Sequence, residues 1–288
     1  MLEAVIEQRR KSLGGGMEVG RVLPFAKRRM VGPFIFFDHM GPLTLAREAA
    51  RGADVRPHPH IGLSTVTYLL EGEIMHRDSI GSEQAIRPGE MNWMTAGSGI
   101  THSERFEQAR LAGARMHGLQ SWVALPDGLE EIAPSFVNYG VQQLPVIEDA
   151  GTWIRVIAGE VSGVKPAVEV HSPLFYAHCV LQPGGVLQLP SNYAERAAYV
   201  VSGSVQAEHQ NFDAGRMLIF AGGRPAKLTA LTAATVMILG GDPVGPRFID
   251  WNFVSSSRQR IEQAKADWRA GRMKLPNLDH DEFIPLPG

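Results

Sequence analysis

RPHPHIGLSTVTYLLEG (Arg56 to Gly72) and GEMNWMTAGSGITHSERF (Gly89 to Phe106) carry most of what the chain reveals. The first holds His58 and His60, the second His102 and Glu104, each pair separated by a single residue. Residues two apart in a β-strand project from the same face. Two such strands lying side by side inside a barrel would aim three imidazoles and a carboxylate at one point, with room left for a substrate. Singly the motifs are weak: at this composition a chance His-x-His is expected about 0.3 times per chain and a chance His-x-acid about once. Their context strengthens them. A strand, a hairpin and a return strand fit between the pairs, and both pairs flank apolar strands bounded by glycine turns.

Outward from these stretches, short β-prone runs bounded by Gly or Pro fill the chain: MEVGRVLPF and GPFIFFDHMGP before, ARMHGLQSWVALP after, then TWIRVIAGEV, SPLFYAHCVLQPGG and RAAYVVSGSVQAEH. A repeat runs through them. TYLLEGEI (Thr67 to Ile74) parallels AYVVSGSV (Ala198 to Val205), and IRPGEMNWMTAG parallels FDAGRMLIFAGG, in the same order with similar spacing. Two tandem antiparallel β-barrels are expected. The second copy has Leu189, Pro190 and Ser191 where the first has its His pair, and Arg224 to Leu228 where the first has GITHSE, so only the first barrel would hold a metal. The expected division is an N-terminal segment and linker (1–16), a metal-binding barrel (17–150), a barrel without ligands (151–250), and a helix with an irregular tail (251–288). Residues 1 to about 13 read as one or two helical turns ending at a flexible tether, Gly14 to Gly16. Ser255–Ser257 caps SRQRIEQAKADWRAG, with Ile261, Ala264, Ala266 and Trp268 as its apolar face and Gly271 as its stop.

Composition sets bounds. The 288 residues, 44% hydrophobic and 20% charged, describe a globular protein with ample core. A net charge of −2 gives no attraction to nucleic acid or to an anionic membrane. The single Cys179 excludes an internal disulfide framework and suits a reducing compartment. No apolar window approaches the roughly 20 residues of a membrane span, and Glu3 and Glu7 interrupt any secretory pattern, so a cytoplasmic protein is expected.

Imidazole with carboxylate, and no thiolate near, suits Fe(II), and also Mn, Co, Ni or Cu, with Zn less fitted to a thiol-free structural site. Four protein ligands on an octahedral ion leave two positions open, as an oxygenase requires. Glu104 is either a plain ligand, a general base for a substrate hydroxyl, or a surface residue beside Arg105. Phe36 and Phe37, with Phe34, Trp93 and Met94, either wall an apolar cavity above the metal or are simple core. His39 is either a hydrogen-bond partner behind the ligands or a loop residue. His76, with Asp78, either supports the ligands from behind or lies on a solvated face.

These residues bear a family likeness. The chain resembles the pirin family, a branch of the cupin superfamily, from about Gly16 to Gly271, through GPFIFFDHMGP, HPHIGLSTVTYLLEGEIMHRDSIG, PGEMNWMTAGSGITHSE, HGLQSWVALP and FIDWNFVSSSRQRIEQAKADW. The resemblance implies an all-β bicupin: two double-stranded β-helix (jelly-roll) barrels with a C-terminal α-helix and a metal in the N-terminal barrel alone. The family's four ligands carry over onto His58, His60, His102 and Glu104. Ordinary cupins place their glutamate four or five residues after the second histidine, where this chain has Ser64 and Thr65; the pirin branch takes its acid from the second motif. Two activities come with the resemblance. One is dioxygenase opening of flavonols such as quercetin, with a phenolic substrate and O2. The other is a non-enzymatic, iron-dependent redox sensor that binds a protein partner such as a transcription regulator.

Overall fold

Strands this short are not stable singly and acquire their hydrogen bonds and burial only in sheets. The computed structural model describes residues 1–14 and 17–288; Gly15 and Gly16 of the expected tether lie outside the described residues. The expected bicupin architecture is present as two units, each assembled from three separated segments. One comprises Arg10–Val19, Asp38–Tyr139 and Gly245–Gly288 and carries the histidine motifs; the other comprises Met1–Arg9, Gly20–Phe37 and Gly140–Val244. They are called below the histidine unit and the apolar unit.

In the histidine unit the smaller sheet has four strands in the order Val55–His60, Ile100–Arg105, Ile74–Asp78, Glu83–Ile86. Of the larger sheet, the neighbouring strands Ser135–Tyr139, Met91–Thr95, Leu63–Glu71 and Ala114–Ala124 lie wholly in this unit. Leu69 and Met116 of the larger sheet pack with Ile74 and Ile86 of the smaller, closing one end of the barrel. The apolar unit repeats the plan: Val186–Gln188, Lys227–Ala230, Ser204–Ala207 and Gln210–Asp213 form its smaller sheet. Gly72 and Gly203 make the same turn in the two copies, with φ of +90° and +76°, a region costly for any side chain with a Cβ.

The repeated strand plan is present in both units, and the positions matching the histidine pair are Leu187 and Leu189, two residues before the expected Leu189 to Ser191. His58 sits opposite His102 in one barrel, and the matching pair in the other is Leu187 opposite Leu228. With Leu189 these leucines are fully buried in a continuous apolar core.

Three expectations are corrected. The first 13 residues are strands rather than helical turns: Leu2–Glu7 pairs with Arg216–Phe220 in the apolar unit. In LEAVIE the even positions are covered and the odd ones exposed, and that period of two prevails once an open strand edge is available to pair with. The units are also not consecutive. Residues 20–37 and 140–150 group with the later barrel, and 245–288 with the earlier one, because strand pairing between distant segments, not chain order, sets the grouping. The C-terminal helix, Arg258–Arg269, has Ser257 as its cap, accepting from the Arg260 amide. Its buried face is Ile261, Ala264 and Trp268, whereas Ala266 is exposed. This face packs on Ile61 and Phe253 within the histidine unit.

Gly62 directly follows the ligand strand and its neighbour Ile61, at φ +67°, where an added Cβ would collide with the Val254 carbonyl. Gly62→Ala is expected to destabilise the histidine unit by about 2 kcal/mol or more, read as a lowered denaturation midpoint.

Candidate metal centre

Val55–His60 and Ile100–Arg105 are neighbouring antiparallel strands, and their register sets His58 directly opposite His102. Alternation brings His60 onto the same face. The ring centroids of His58 and His102 are 4.3 Å apart, and His60 is 5.1 Å from each. One nitrogen from each of the three rings lies within 4.8 Å of the other two. All three side chains are buried.

Hydrogen bonds to the far nitrogens decide which atom of each ring faces inward. His58 Nδ1 donates to the Arg56 carbonyl at 2.9 Å, and His60 Nδ1 to the Asn252 carbonyl at 3.0 Å. His102 Nδ1 meets His76 Nδ1 at 3.4 Å, and His76 Nε2 bonds Asp78 Oδ2 at 3.0 Å. That series is consistent in one proton arrangement: His76 Nε2–H donates to Asp78, and His102 Nδ1–H donates to His76. The Nε2 atoms of His58, His60 and His102 then keep their lone pairs for the centre of the group. His102 Nε2 is fully buried with no hydrogen-bond partner. An orphaned acceptor of this kind is costly unless something binds it, so the residues fit a divalent metal.

The electrostatics agree. Burial, with the neighbouring rings, holds His60 and His102 well below the usual histidine range, and burial brings His58 down to about 4. Neutral imidazole is the form that ligates. Asp78 is buried, which alone would raise its pKa, but the His76 bond and the Ser82 amide outweigh this and keep it low. It stays an ionised anchor behind the ligands, the arrangement that fixes ring orientation at metal sites.

Glu104 lies on the same strand two residues beyond His102, opposite His76. The pairing with Val55–His60 shifts register between His102 and Glu104, and such irregularities re-aim a side chain. The carboxylate does not join the group of three converging nitrogens. It has no hydrogen bond or ion pair among the described residues, and burial pushes its pKa up to about 7.

Other expected residues fall elsewhere. His39 pairs with His117, Nε2 to Nε2 at 2.8 Å, rather than with the ligand rings. Phe36 and Phe37 make their described contacts in the apolar unit, the first beneath the Arg21 guanidinium and the second edge-on to Tyr199. Trp93 and Met94 are adjacent in one strand and so face opposite ways; they cannot wall one cavity together. Met94 lies opposite Phe136, whose ring stacks on His76 at 4.2 Å, so Met94 is the one on the histidine side. Trp122 stands edge-on to His60 at 5.0 Å. The run of apolar residues from Trp122 to Leu125 gives no sign of its facing, and nothing in the sequence could mark Asn252, which contributes only a backbone carbonyl.

A strap of C-terminal chain backs the site. On the strand that presents His102 and Glu104, the intervening Ser103 and Arg105 bond Asp279: Ser103 Oγ at 2.6 Å, Arg105 Nε at 2.6 Å and Nη2 at 2.7 Å. The Ile284 amide donates to the Pro57 carbonyl at 2.9 Å, immediately before His58 on the other strand.

The comparisons with known proteins agree with this picture. The fold and the three-histidine centre define a bicupin of which one barrel is equipped for metal. A Pirin family model matches residues 16–123, and a Pirin C-terminal cupin domain model matches residues 176–274. A pirin-like protein of Caulobacter vibrioides is 60% identical over the full length of both chains. A Pseudomonas aeruginosa protein bearing the provisional name quercetin 2,3-dioxygenase is 35% identical over 95% of this chain and 86% of its own. The crystal structure of a quercetin 2,3-dioxygenase from Acinetobacter baumannii superposes with a TM-score of 0.91 at 32% identity, covering 99% of this chain and 95% of that one. The chain belongs to the pirin family. Among the described residues no helix is long and apolar enough to cross a membrane.

Two outcomes follow for the metal-free protein. Histidines with depressed folded pKa values bind fewer protons than in the unfolded chain, so stability should fall as pH drops from about 6.5 toward 4. Glu104, raised when folded, acts oppositely and softens that slope, so thermal melts of Glu104→Gln should show a steeper acid loss. Asp279, where burial is outweighed by the Arg105 and Ser103 bonds, is held below its usual range. Its contribution is full at neutral pH and lost as pH falls below about 4. Asp279→Asn should therefore cost about 1–3 kcal/mol at pH 7, a difference that vanishes in urea melts at strongly acidic pH.

Proposed function

We propose that this pirin is a metal-dependent dioxygenase that opens the ring of flavonols of the quercetin type with O2. The observation that carries the reading is the pairing of three neutral, inward-facing imidazole nitrogens with an unpartnered carboxylate on the His102 strand, raised to about 7. His58, His60 and His102 hold the metal, for which Fe(II) best suits imidazole and carboxylate donors. When bound, the metal supplies Lewis-acid polarisation of a substrate oxygen and electron access to dioxygen.

The remaining roles belong to the chain. Glu104 would stand beside the metal-holding histidines, and its pKa near neutrality suits it to accept the proton of the flavonol hydroxyl. Trp122 and Phe136, seated against His60 and His76, offer flat apolar walls for an aromatic ring. Asp78 and His76 hold His102 in its ligating tautomer. The names carried by relatives at 35% and 32% identity support the substrate class.

The deciding experiment supplies anaerobically metallated protein with quercetin, admits oxygen, and follows the flavonol absorption band. The band should bleach with matching oxygen uptake. His102→Ala should lose both metal and turnover, and Glu104→Gln should keep metal while slowing turnover about 100-fold. Full metal occupancy with no consumption of any flavonol would overturn the proposal.

A further inference from the structure

The larger sheet of the histidine unit turns one face to the imidazoles, marked by Trp122 against His60 and Phe136 against His76. Register places Phe136, Met94, Thr65 and Trp122 directly opposite one another across four neighbouring strands. Two residues along each strand, on the same face, comes a second row: Asn138, Asn92, Thr67 and Gln120. The rows are about 7 Å apart by strand rise. A further step brings Leu69, which packs with Ile74, Ile86 and Phe106. On the opposite sheet, Glu104 is two residues before Phe106 and His76 two after Ile74. The polar row thus lies between the Phe136–Trp122 row, which meets the histidines, and the apolar plug.

Packing alone does not call for four polar side chains here, and Asn92 and Thr67 are buried. Two hydrogen bonds account for part of their capacity. Asn138 Nδ2 donates to Asn92 Oδ1 at 2.8 Å, and the Thr67 hydroxyl donates to Gln120 Oε1 at 2.7 Å. Both bonds consume amide oxygens. The NH2 groups of Asn92 and Gln120 donate to nothing among the described residues, and neither is among the sealed, partnerless atoms of the interior, so both keep donor capacity to spare. Their strands flank the Thr67 strand, which separates the two donors by about 10 Å.

We propose that this row is the substrate-recognition strip of the site. It selects a planar ligand that carries oxygen acceptors, phenolic or carbonyl, well away from the oxygens that meet the metal. This rests on the flavonol reading of the centre and goes further, naming polyhydroxylated flavonols as the favoured class and Asn92 and Gln120 as specificity-determining donors.

The test is equilibrium binding to metal-loaded, full-length protein without oxygen, using two probes. Quercetin carries hydroxyls on both outer rings; 3-hydroxyflavone has the same hydroxy-keto pair and no others. Wild type should bind quercetin about tenfold more tightly, the worth of one or two retained hydrogen bonds. Asn92→Leu and Gln120→Met should each abolish most of that preference while leaving 3-hydroxyflavone affinity and metal content within about twofold of wild type. Gln120→Glu, which keeps the shape and removes the donor, decides the matter if the apolar variants fail to retain metal. A wild type without preference, binding of neither probe, or equal weakening of both probes would each overturn the strip. Preferential quercetin binding that depends on these residues but leads to no oxygen consumption would uphold the strip and reject the dioxygenase.

Discussion

Three imidazole lone pairs directed at a single buried point are the constraint to which the rest of the histidine unit is fitted. Each is an acceptor without a protein donor, and leaving such a group buried costs about 1–3 kcal/mol. The fold tolerates this because each ring is held from behind by a different group: the Arg56 carbonyl, the Asn252 carbonyl, and the His76–Asp78 pair. Were any of these replaced by a group that offered no acceptor, the ring could turn and satisfy itself elsewhere. The Arg56 and Asn252 carbonyls favour a protonated ring, but desolvation opposes and outweighs them, so the buried rings stay neutral. Hydrogen bonds set the geometry and burial sets the charge state, and a cation is what both leave unsatisfied.

The apolar unit shows what the same strand plan becomes without that constraint. Leu187, Leu189 and Leu228 stand where the histidines would, and the interior closes into a continuous hydrophobic core. Cys179 lies in that core, its thiol pushed well above the usual range by burial, and is inert as a nucleophile. Leucine packing stabilises, whereas open imidazole positions cost stability. One barrel closes on leucine, while the other keeps three imidazoles at its centre.

What could be read from the sequence was whatever depends on local period. His58 with His60, and His102 with Glu104, are visible because strands alternate, and the tandem repeat is visible because both copies keep their turn glycines. Ser257 and Gly271 mark the C-terminal helix through ordinary capping and stop signals. What could not be read depends on pairing at a distance. Leu2–Glu7 looked helical because nothing local announces the free edge of Arg216–Phe220. Phe36 and Phe37 were plausible pocket walls only until the chain grouped residues 20–37 with the later barrel. Treating Trp93 and Met94 as one wall neglected the same alternation that located the histidines. The Asn252 carbonyl has no side-chain signature at all.

The strand Ile100–Arg105 ties these points together, since it performs two tasks on its two faces. His102 and Glu104 face the barrel interior, while Thr101, Ser103 and Arg105 bond the C-terminal strap through Lys274 and Asp279. A slip of one residue would exchange the two sets, pointing Ser103 at the histidines of the neighbouring strand and burying no ligand there. The strap makes that slip expensive, because Arg105 is nearly sealed from solvent and would lose both bonds to Asp279. The tail also holds the second ligand strand, through the Ile284 amide on Pro57 and the Asn252 carbonyl on His60. The two ligand strands are thus locked in register by one segment more than a hundred residues distant, which is why that segment groups with the histidine unit and not with the barrel that precedes it in the chain.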